Sequence, residues 1–486
     1  MNQDNTRDTR WREELRKAHS AKQRAEIPRV IMPQLDPIYR IACNDEVNQG
    51  LSEEQAILEA TRCMDCPDPQ CIHGCPVSIN IPGFIKNIER GNFIEAAAVL
   101  KQTSALPAVC GRVCPQEKQC ESRCIYNKMK KAPVAIGYLE RFAADYERNN
   151  TPCDELSVSE IEKNGMNVAV VGSGPAGLSF AGDMIKRGYN VTVYEALHEI
   201  GGVLKYGIPE FRLPNAVVEA EIDGLRALGV TFIKDCIIGK TISYEQLHEL
   251  GYNGIFVASG AGLPRFMGIP GENLIGIMSS NEYLTRINLM GAGKAGYDTP
   301  VLKGHRVAVI GGGNTAMDSV RTARRQGADA MIVYRRSEEE MPARIEELHH
   351  AKEEGVQFMT LHNPIEYIAD EKGRVCAMRL QKMELGEPDA SGRRSPIAIE
   401  GAVEEVQVDL VIVSVGVSPN PLIPHAIPEL EISRRGTIVV NDETMQSSLQ
   451  DIYAGGDIVR GGATVILAMG DGRRAASSMH KALSKQ

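Results

Sequence analysis

The stretch Val168-Ala-Val-Val-Gly172-Ser-Gly174-Pro175-Ala176-Gly177 decides how the chain is built. A short run of mainly β-branched residues leads into three glycines, and a helix-forming segment follows. In such a strand–turn–helix unit, Gly172 permits the tight turn, Gly174 lets the backbone approach a pyrophosphate, and Gly177 lets the helix pack on the strand. The helix N-terminus then offers unpaired N–H groups to the phosphates. The stretch therefore predicts a dinucleotide-binding unit.

A carboxylate follows where such units bind a ribose. Val191-Thr-Val-Tyr194 is expected to form the second strand, and Glu195 ends it. An acid at this position accepts hydrogen bonds from a ribose 2′-hydroxyl. A glycine-rich turn without a ligand is the alternative, and both the strand before the turn and the acid after it disfavour that alternative.

A second unit repeats the first. Arg306-Val-Ala-Val-Ile310 leads into Gly311-Gly-Gly313-Asn314-Thr315-Ala316, the variant with alanine at the third position, which again opens a helix. Its second strand ends in Arg335-Arg336, where the first unit carries an acid. Guanidinium groups bind a 2′-phosphate in a charge-assisted, bidentate way, whereas a carboxylate repels one. The unit therefore predicts NADPH rather than NADH; a solvated basic turn answering Glu338-Glu-Glu340 is the alternative.

Two C-terminal stretches are similar to segments of two-dinucleotide flavoproteins. They are Tyr453-Ala-Gly-Gly456-Asp457 and Ala463-Thr464-Val465. The resemblance implies that Asp457 holds the ribityl chain of FAD and that the helix after Thr464 points its N-terminus at the isoalloxazine ring. The NADPH unit would then be inserted into the FAD domain. The expected divisions are residues 166–298 for the first FAD half, 299–417 for the NADPH domain and 418–486 for the second FAD half.

Eight of the twelve cysteines lie between Cys63 and Cys124, in a helical-looking region without strand-like alternation. Their spacing is Cys63-x2-Cys66-x4-Cys71-x3-Cys75-Pro and Cys110-x3-Cys114-Pro-x5-Cys120-x3-Cys124. Thiolate runs that end in Cys-Pro resemble the bacterial ferredoxin pattern, and eight cysteines suit two 4Fe–4S clusters. Zinc is the alternative, but zinc sites usually pair two CxxC knuckles and only Cys63–Cys66 has that spacing. Residues 1–165 are therefore expected to form a helical domain with two clusters.

Disulfide reductases share the layout of two nucleotide units, and they need a redox pair of cysteines beside the flavin. After the cysteine-rich region, only Cys153, Cys236 and Cys376 remain, each isolated in the sequence. A dithiol beside the flavin is therefore not expected, and electrons must leave by another route.

The composition is that of a soluble protein with several domains. Of 486 residues, 43% are hydrophobic and 24% are charged. The net charge of −9 argues against nucleic-acid binding, because phosphate neutralisation calls for basic patches. No secretory leader stands out, and no apolar run approaches the roughly 18 residues that mark a membrane span. We therefore expect a cytoplasmic protein, in which thiols stay reduced and dense cysteines indicate metal.

Five stretches are specific enough to identify a family. They are Cys110-Gly-Arg-Val-Cys-Pro115, Gly201-Gly202-Val-Leu204-Lys-Tyr-Gly-Ile-Pro209, Val333-Tyr-Arg-Arg336, Met341-Pro342 and Ala454-Gly-Gly-Asp-Ile-Val-Arg460. From about position 40 onward the chain resembles the small (β) subunit family of NADPH-dependent glutamate synthase. That family includes the N-terminal module of dihydropyrimidine dehydrogenase and the NADP-binding large subunit of NADH-dependent ferredoxin:NADP oxidoreductase. The resemblance makes Gly202 and Leu204 candidate FAD contacts. The implied fold is α/β, with two Rossmann-like domains, the NADP domain inserted in the FAD domain, after an α-helical iron–sulfur domain.

The resemblance also implies an interleaved set of cluster ligands. One cluster would take the thiolates of Cys63, Cys66, Cys71 and Cys124. The other would take those of Cys75, Cys114 and Cys120. In the dihydropyrimidine dehydrogenase relative, its fourth ligand is a glutamine whose position falls on Glu140. Glu140 therefore competes with Cys110 for that role, and a salt-bridged surface glutamate is the alternative for Glu140.

The implied reaction is hydride transfer from NADPH to FAD, followed by single-electron transfer to the clusters, and no acid–base side chain is nominated. The chain would be the electron-input subunit of glutamate synthase, with an FMN-containing large subunit as partner in L-glutamate formation. The runner-up is the NADP-binding subunit of an electron-bifurcating oxidoreductase or sulfide dehydrogenase, whose partners are a small flavoprotein and ferredoxin. Asn281–Met290 and Glu347–Ala351 look nearer to that branch. A relay subunit without NADPH turnover is third, and the intact second unit disfavours it. An oligomer is expected.

Overall fold

The N-terminal part of the chain is helical, as the sequence predicts. The computed structural model describes residues 5–151, 161–388 and 392–485, so Cys153 lies outside the described residues. The helices of the first range are α1 (Arg10–Ala18), α2 (Ala21–Glu26), α3 (Pro37–Arg40), α4 (Glu53–Thr61), α5 (Gln70–His73), α6 (Ile81–Glu89), α7 (Phe93–Lys101), α8 (Pro107–Val113), α9 (Ile125–Lys128) and α10 (Ile136–Asn150). Two 3-10 helices, Gln116–Lys118 and Glu121–Arg123, lie between α8 and α9. None of the helices in the three described ranges has the length and apolar character that a membrane crossing requires.

The first nucleotide unit belongs to a parallel sheet of five strands. They are β1 (Asn167–Val171), β2 (Asn190–Tyr194), β3 (Thr231–Ile233), β4 (Tyr252–Val257) and β15 (Ile452–Ala454), in the order β15-β4-β1-β2-β3. Because β15 pairs with β4, the sheet is assembled from both ends of this region, and the predicted insertion of the second unit is confirmed. The helices of this part are α11 (Pro175–Ile185), α12 (Val203–Tyr206), α13 (Asn215–Ala227), α14 (Tyr244–Glu249), α18 (Leu422–Ala426), α19 (Asp457–Arg460) and α20 (Val465–Leu483).

A second parallel sheet contains the second nucleotide unit. Its strands are β6 (Ile277–Ser279), β7 (Arg306–Ile310), β8 (Asp329–Tyr334), β9 (Gln357–Thr360) and β13 (Leu410–Val413), in the order β6-β13-β7-β8-β9. The helices beside it are α15 (Ser280–Leu284), a π-helix (Thr285–Leu289), α16 (Asn314–Arg325), a 3-10 helix (Glu338–Glu340) and α17 (Ile345–Glu353). Both sheets place the strand before the glycine turn beside the strand after it, so the repeat seen in the sequence is a repeat of topology.

The predicted division between residues 298 and 299 is wrong in one respect. Strand β6 comes from the stretch assigned to the first FAD half, yet it pairs with β13 in the second sheet. The chain therefore enters the second sheet before Ile277. A three-residue edge strand without a glycine fingerprint gives no signal in the sequence. The chain passes between the first and the second sheet twice. The two connecting segments lie side by side, because β5 (Leu263–Pro264) and β14 (Val417–Ser418) form an antiparallel pair.

The chain also forms a third sheet, which the sequence analysis did not predict. It is antiparallel and consists of β10 (His362–Ala369), β11 (Val375–Pro388) and β12 (Arg394–Gln407), in that order. The sheet packs on the second one through a shared apolar cluster that includes Tyr367, Met378 and Val411. Its β11–β12 end reaches the loop after β8, because the Nε of Arg336 donates to the carbonyl oxygen of Arg394 over 2.8 Å.

Buried ion pairs join the N-terminal helices to the second sheet. Glu354, only 2% exposed, accepts from Arg40 Nε at 2.9 Å, from Arg321 Nη2 at 2.8 Å and from Arg325 Nη1 at 2.8 Å. Burial would raise the pKa of Glu354, but the charge of Arg321 and the hydrogen bonds from Arg321 and Arg325 lower it to about 2. Each buried guanidinium depends on this carboxylate, because an uncompensated charge in a protein interior is strongly destabilising.

We predict that Glu354→Gln lowers the free energy of unfolding by about 3 kcal/mol or more, since it leaves three guanidinium groups without their common anion. Glu353→Gln is the matched control. Its side chain is 48% exposed and pairs with Arg40 only at the rim, so the expected loss is below about 1 kcal/mol. Thermal and urea unfolding of the two variants would measure the difference. Equal losses would contradict the buried role of Glu354.

The same variant should show a pH dependence of known sign. The pKa of Glu354 is lowered from 4.5 to about 2, so its stabilising charge is complete above pH 4.5 and disappears as the pH falls toward 2. The stability difference between the wild type and Glu354→Gln should therefore be constant at neutral pH and shrink in acid. A difference that grows in acid would contradict the ion-pair account.

Candidate functional site

The first glycine loop lies between β1 and α11, where the sequence predicts it. Gly172 has φ +102°, and a Cβ there would lie 2.5 Å from the carbonyl oxygen of Ala258. A Cβ on Gly177 would lie 2.1 Å from the carbonyl oxygen of Gly172, so the helix can pack this closely only without a side chain. A Cβ on Gly174 would meet nothing within 4 Å. The loop is thus tight on its inner side and open at Gly174, which fits a backbone that receives a pyrophosphate.

Glu195 ends β2 beside this loop and is nearly buried, at 6% exposed. Its Oε2 accepts from the backbone N–H of Ser173 at 2.9 Å and from Ser173 Oγ at 2.5 Å, and its Oε1 accepts from Leu197 N–H at 2.9 Å. Ser173 Oγ in turn accepts from Gly201 N–H at 2.9 Å. The carboxylate therefore shapes the phosphate loop, and its contact with a ribose stays a prediction. Ser173 was missed in the sequence because it occupies a variable position of the fingerprint.

Gly202 and Leu204 have different roles. A Cβ on Gly202 would lie 3.0 Å from the Cα of Gly174, so this residue lies directly against the phosphate loop. The side chain of Leu204 is fully buried in the core, which means that it supports the loop from behind. Whether either residue contacts FAD stays a prediction.

The C-terminal stretch reaches the start of α11 through Gly456 and α20. Asp457 Oδ1 accepts from Ala463 N–H at 2.9 Å, and burial raises the pKa of Asp457. Thr464 caps α20, accepting from Leu467 N–H at 3.4 Å, and Val465 is the first helical residue. A Cβ on Gly472 would lie 2.4 Å from the carbonyl oxygen of Ala176, so α20 packs directly against α11.

Asp471 is a residue of this region that the sequence analysis missed. It is fully buried, and its Oδ2 accepts from Gly456 N–H at 3.0 Å and from Arg460 Nε at 2.7 Å. This carboxylate therefore holds the turn that presents Asp457. Its position in the middle of a helix, away from the Gly-Gly-Asp motif, gave no signal in the sequence.

The second glycine loop repeats this geometry between β7 and α16. Gly311 has φ +139°, and a Cβ there would lie 2.3 Å from the carbonyl oxygen of Ser414, whereas a Cβ on Gly313 would meet nothing within 4 Å. Asn314 Oδ1 accepts from the backbone N–H of Arg344 at 2.9 Å. Thr315 and the buried Ala316 complete the first turn of α16.

The two arginines after β8 lie beside this second loop. Arg335 is exposed, and Arg336 is partly exposed. Two of the three acids in the alternative have other partners, because Glu338 pairs with Lys352 and Glu340 accepts from Ser337 Oγ at 3.1 Å, and Glu339 is exposed. This arrangement favours the phosphate-binding interpretation over a self-neutralised turn. Contact with NADPH stays a prediction.

Four cysteines form a first thiol group, defined as Cys63, Cys66, Cys71 and Cys124. All four are partly buried. Burial raises the pKa of Cys71, and the charges of Cys63, Cys124 and Cys66 raise it further, so the four sulfurs lie within electrostatic reach of one another. Thiols with raised pKa values become metal ligands by losing their protons to the metal, which supplies the compensating charge. The group therefore has the chemistry that an iron–sulfur cluster needs.

Basic side chains from the N-terminal helices surround the Cys63–Cys66 loop. The fully buried Asp65, within this loop, accepts from Arg12 and, at 2.6 Å, from Arg16 Nη1. The Nζ of Lys86 donates to the carbonyl oxygen of Cys63 over 2.5 Å. These residues were missed because nothing in a single sequence links α1 to a loop some fifty residues later.

A second thiol group consists of Cys75, Cys114 and Cys120, together with the two candidates Glu140 and Cys110. Burial raises the pKa of Cys75 to about 11, and the charges of Glu140 and Cys114 raise it as well. Burial likewise holds the pKa of Cys120 well above its usual value, with Glu140, Cys75 and Cys114 among the other causes. The charges of Glu140 and Cys75 also act on Cys110, so these surroundings alone do not choose between the two candidates, and the assignment of the cysteines to two clusters stays a prediction. Among the described residues, no three His, Cys, Asp or Glu side chains converge as the ligands of one metal ion.

Glu140 fits the fourth position of the second thiol group. It is 5% exposed, its Oε1 is buried without a hydrogen-bond partner, and burial raises its pKa to about 8. An unpaired buried carboxyl costs free energy unless a partner is supplied, and an iron ion is such a partner. A salt-bridged surface glutamate does not fit this environment. The Sγ of Cys110 lies 3.4 Å from the Sδ of Met469 on α20.

Two of the isolated cysteines can be located. Cys236 is buried in the core behind the first sheet, whereas Cys376 lies on β11 with its Sγ 3.5 Å from the carbonyl oxygen of Ile368. Cys236 follows the first sheet and Cys376 belongs to the third, and both are free thiols, so these two do not form the redox pair of a disulfide reductase.

Two family models match the chain in the order of its parts. Residues 40–152 match dihydropyrimidine dehydrogenase domain II, 4Fe-4S cluster, and residues 166–472 match pyridine nucleotide-disulphide oxidoreductase.

Individual relatives match over most of the chain. It is 38% identical to the glutamate synthase (NADPH) small chain of Azospirillum brasilense over 448 residues, which cover 90% of each protein. It is 37% identical to the NADP(+)-dependent formate dehydrogenase subunit beta of Moorella thermoacetica, over 85% of this chain and 60% of that one. Among solved structures, FprA of Mycobacterium tuberculosis in complex with NADPH aligns over 66% of this chain and 85% of its own, with a TM-score of 0.57 and 21% identity. At that identity the likeness concerns the fold alone.

We predict that Glu140→Ala lowers the iron and acid-labile sulfide content of the anaerobically purified protein to roughly half, because the second thiol group loses a ligand. Cys110→Ser should leave both contents unchanged if Glu140 is the fourth ligand, although the Cys110 thiol contacts both Met469 and Cys114. Chemical iron and sulfide assays with electron paramagnetic resonance of the reduced protein would measure this. The reverse result would assign the fourth position to Cys110.

Proposed function

The chain belongs to the family of NADPH-dependent glutamate synthase small chains, and on that premise we propose that it is the oxidoreductase subunit through which NADPH electrons enter a larger complex. The observation that carries the proposal is the position of α20. This helix packs on the start of α11 at Gly472, touches Cys110 at Met469 and lies against Pro76, the neighbour of Cys75, at Gly470. A single rigid element thus joins the nucleotide-binding and cysteine-rich parts of the chain.

Different residues of the chain would hold each of the proposed cofactors. The first loop, with Glu195 and Asp457, would bind FAD; the second loop, with Arg335 and Arg336, would bind NADPH. The two thiol groups would each hold a 4Fe–4S cluster, with Glu140 completing the second. When bound, FAD accepts a hydride and releases electrons one at a time, which is chemistry that no side chain here supplies.

Burial supports a direction for electron flow. In the second thiol group, Cys110, Cys114 and Cys120 are buried and Cys75 is partly buried, whereas all four cysteines of the first thiol group are partly buried. The exposed Arg123 and Lys128 flank Cys124, and the side chains of Ile125 and Met129 nearby are 36% and 42% exposed. We propose that electrons leave through this face to an FMN-containing large subunit, which completes L-glutamate synthesis from glutamine and 2-oxoglutarate.

A second candidate function has its own support. The formate dehydrogenase subunit beta of Moorella thermoacetica is as similar to the chain as the glutamate synthase small chains are. The same electron-input module could therefore serve another complex, including an electron-bifurcating oxidoreductase with a small flavoprotein and ferredoxin. The NADPH, FAD and cluster roles are the same in both proposals, and only the partner differs.

An anaerobic pull-down of the native protein from its own cells, with partners identified by mass, tests the choice. A large subunit with FMN would support glutamate synthase. A small ferredoxin-reductase-like flavoprotein or a formate dehydrogenase subunit would overturn the glutamate assignment and leave the NADPH role intact. Absence of NADPH-dependent dye reduction by the purified chain would overturn the oxidoreductase proposal itself.

We predict that the double variant Arg335→Gln, Arg336→Gln weakens NADPH binding about tenfold or more, because charge-assisted hydrogen bonds to the 2′-phosphate are lost. NADH binding should change less than about twofold, since NADH has no such phosphate. Arg306→Gln at the opposite end of the sheet is the control, expected to change neither. Stopped-flow reduction of the flavin at varied nucleotide concentration would give both constants, and equal losses would rule out the 2′-phosphate assignment.

A further inference from the structure

We propose that the β11–β12 hairpin completes the NADPH specificity site, with Arg393 and Arg394 adding two guanidinium groups to the 2′-phosphate contacts of Arg335 and Arg336. This inference rests on the proposed function, because it concerns the same nucleotide. It assigns a role to the third sheet, which lies outside both glycine loops. The hairpin would lie against the end of β8 and contribute to the preference for NADPH over NADH.

Two hydrogen bonds hold the start of β12 against the loop that follows β8. The Nε of Arg336 donates to the carbonyl oxygen of Arg394 over 2.8 Å. The backbone N–H of Arg394 donates to Glu340 Oε1 over 3.2 Å. The backbone position of the hairpin arginines is therefore fixed by the same arginine that the sequence assigns to the 2′-phosphate.

The side chain of Arg393 comes closer to the nucleotide loop. Its Nη2 donates to the hydroxyl oxygen of Tyr334 over 3.1 Å and to the carbonyl oxygen of Glu340 over 3.3 Å. The ring of Tyr334 packs on the second glycine loop, since a Cβ on Gly312 would lie 2.9 Å from it. The side chain of Tyr334 thus contacts both Arg393 and the loop that would hold the pyrophosphate.

Four arginines lie at or near the end of β8. Arg335 and Arg394 are exposed, and Arg336 and Arg393 are partly exposed. Of the nearby acids, Glu338 pairs with Lys352, Glu340 accepts from Ser337 and Arg394, and Glu339 is exposed. Four guanidinium groups therefore lie on the loop after β8 and on the start of β12, and guanidinium groups bind phosphate through charge-assisted, bidentate hydrogen bonds.

A merely structural role for Arg393 predicts a different result. If the guanidinium only ties the hairpin to Tyr334, its loss would loosen the nucleotide loop and weaken NADP+ and NAD+ alike. If it also binds the 2′-phosphate, its loss would weaken NADP+ selectively. The ratio of the two dissociation constants therefore separates the two roles.

The experiment measures NADP+ and NAD+ binding by titration calorimetry for Arg393→Gln, Arg394→Gln and their double variant. We expect the double variant to bind NADP+ about tenfold more weakly or worse, and NAD+ within about twofold of wild type. Arg379→Gln is the matched control, because Arg379 lies on the same hairpin but pairs with Glu366 away from the nucleotide loop. Arg393→Lys should restore part of the preference, since it keeps the charge but not the fork.

The outcomes separate this inference from the function on which it rests. A preference for NADP+ that survives in the hairpin variants but disappears in Arg335→Gln, Arg336→Gln would overturn this inference alone. Equal weakening of both nucleotides would also overturn it, in favour of a structural tether. A wild-type protein that binds NAD+ as tightly as NADP+ would overturn the NADPH proposal and this inference together.

Discussion

The close packing of α20 is the constraint on which the rest of the structure depends. A Cβ on Gly472 would lie 2.4 Å from the carbonyl oxygen of Ala176, and one on Gly470 would lie 3.0 Å from that of Pro76. One helix can therefore touch the phosphate-loop helix and the cysteine-rich loops at once only because these two positions carry no side chain. Direct contact between backbones leaves the two packed segments little room to shift, so the parts of the chain that would hold cofactors keep a fixed separation. The duplicated nucleotide units and the thiol groups are arranged around this contact.

Buried charged side chains hold the domain of the second sheet against the N-terminal helices. Arg344 donates from Nη1 to the carbonyl oxygen of Arg112 over 2.7 Å and from Nη2 to Gln116 Oε1 over 2.9 Å, so it joins this domain to the loop that carries Cys114. Its backbone N–H is bonded to Asn314 in the second glycine loop. With the Glu354 cluster, these contacts make relative rotation of the two parts costly, because each buried ion would lose its partner.

The sequence predicts what is local and misses what tertiary contacts create. The two strand–turn–helix units and their order follow from the glycine spacing and the β-branched runs, since those signals lie within about thirty residues. The insertion of one into the other was predicted only through the resemblance of the C-terminal stretch to two-dinucleotide flavoproteins. The third sheet, the short β6 and the ion pairs of Asp65 have no local signature. Glu140 could be named only through a resemblance to a family; its burial and unpaired Oε1 become visible once α10 packs on α8.

The surroundings of the two thiol groups differ in charge, and the difference agrees with the proposed direction of electron flow. Around the first thiol group, Asp65 and Glu89 face four cations, Arg12, Arg16, Arg24 and Lys86. Beside the second thiol group lie the carboxyls of Glu140 and Glu221, whose pKa values burial raises, and one cation, Arg344, whose charge acts on Cys114. An added electron is a negative charge, so it is stabilised near an excess of cations and destabilised near carboxylates. The partly exposed first thiol group is therefore the electrostatically favoured end of the path, and it is also the end that a partner can reach.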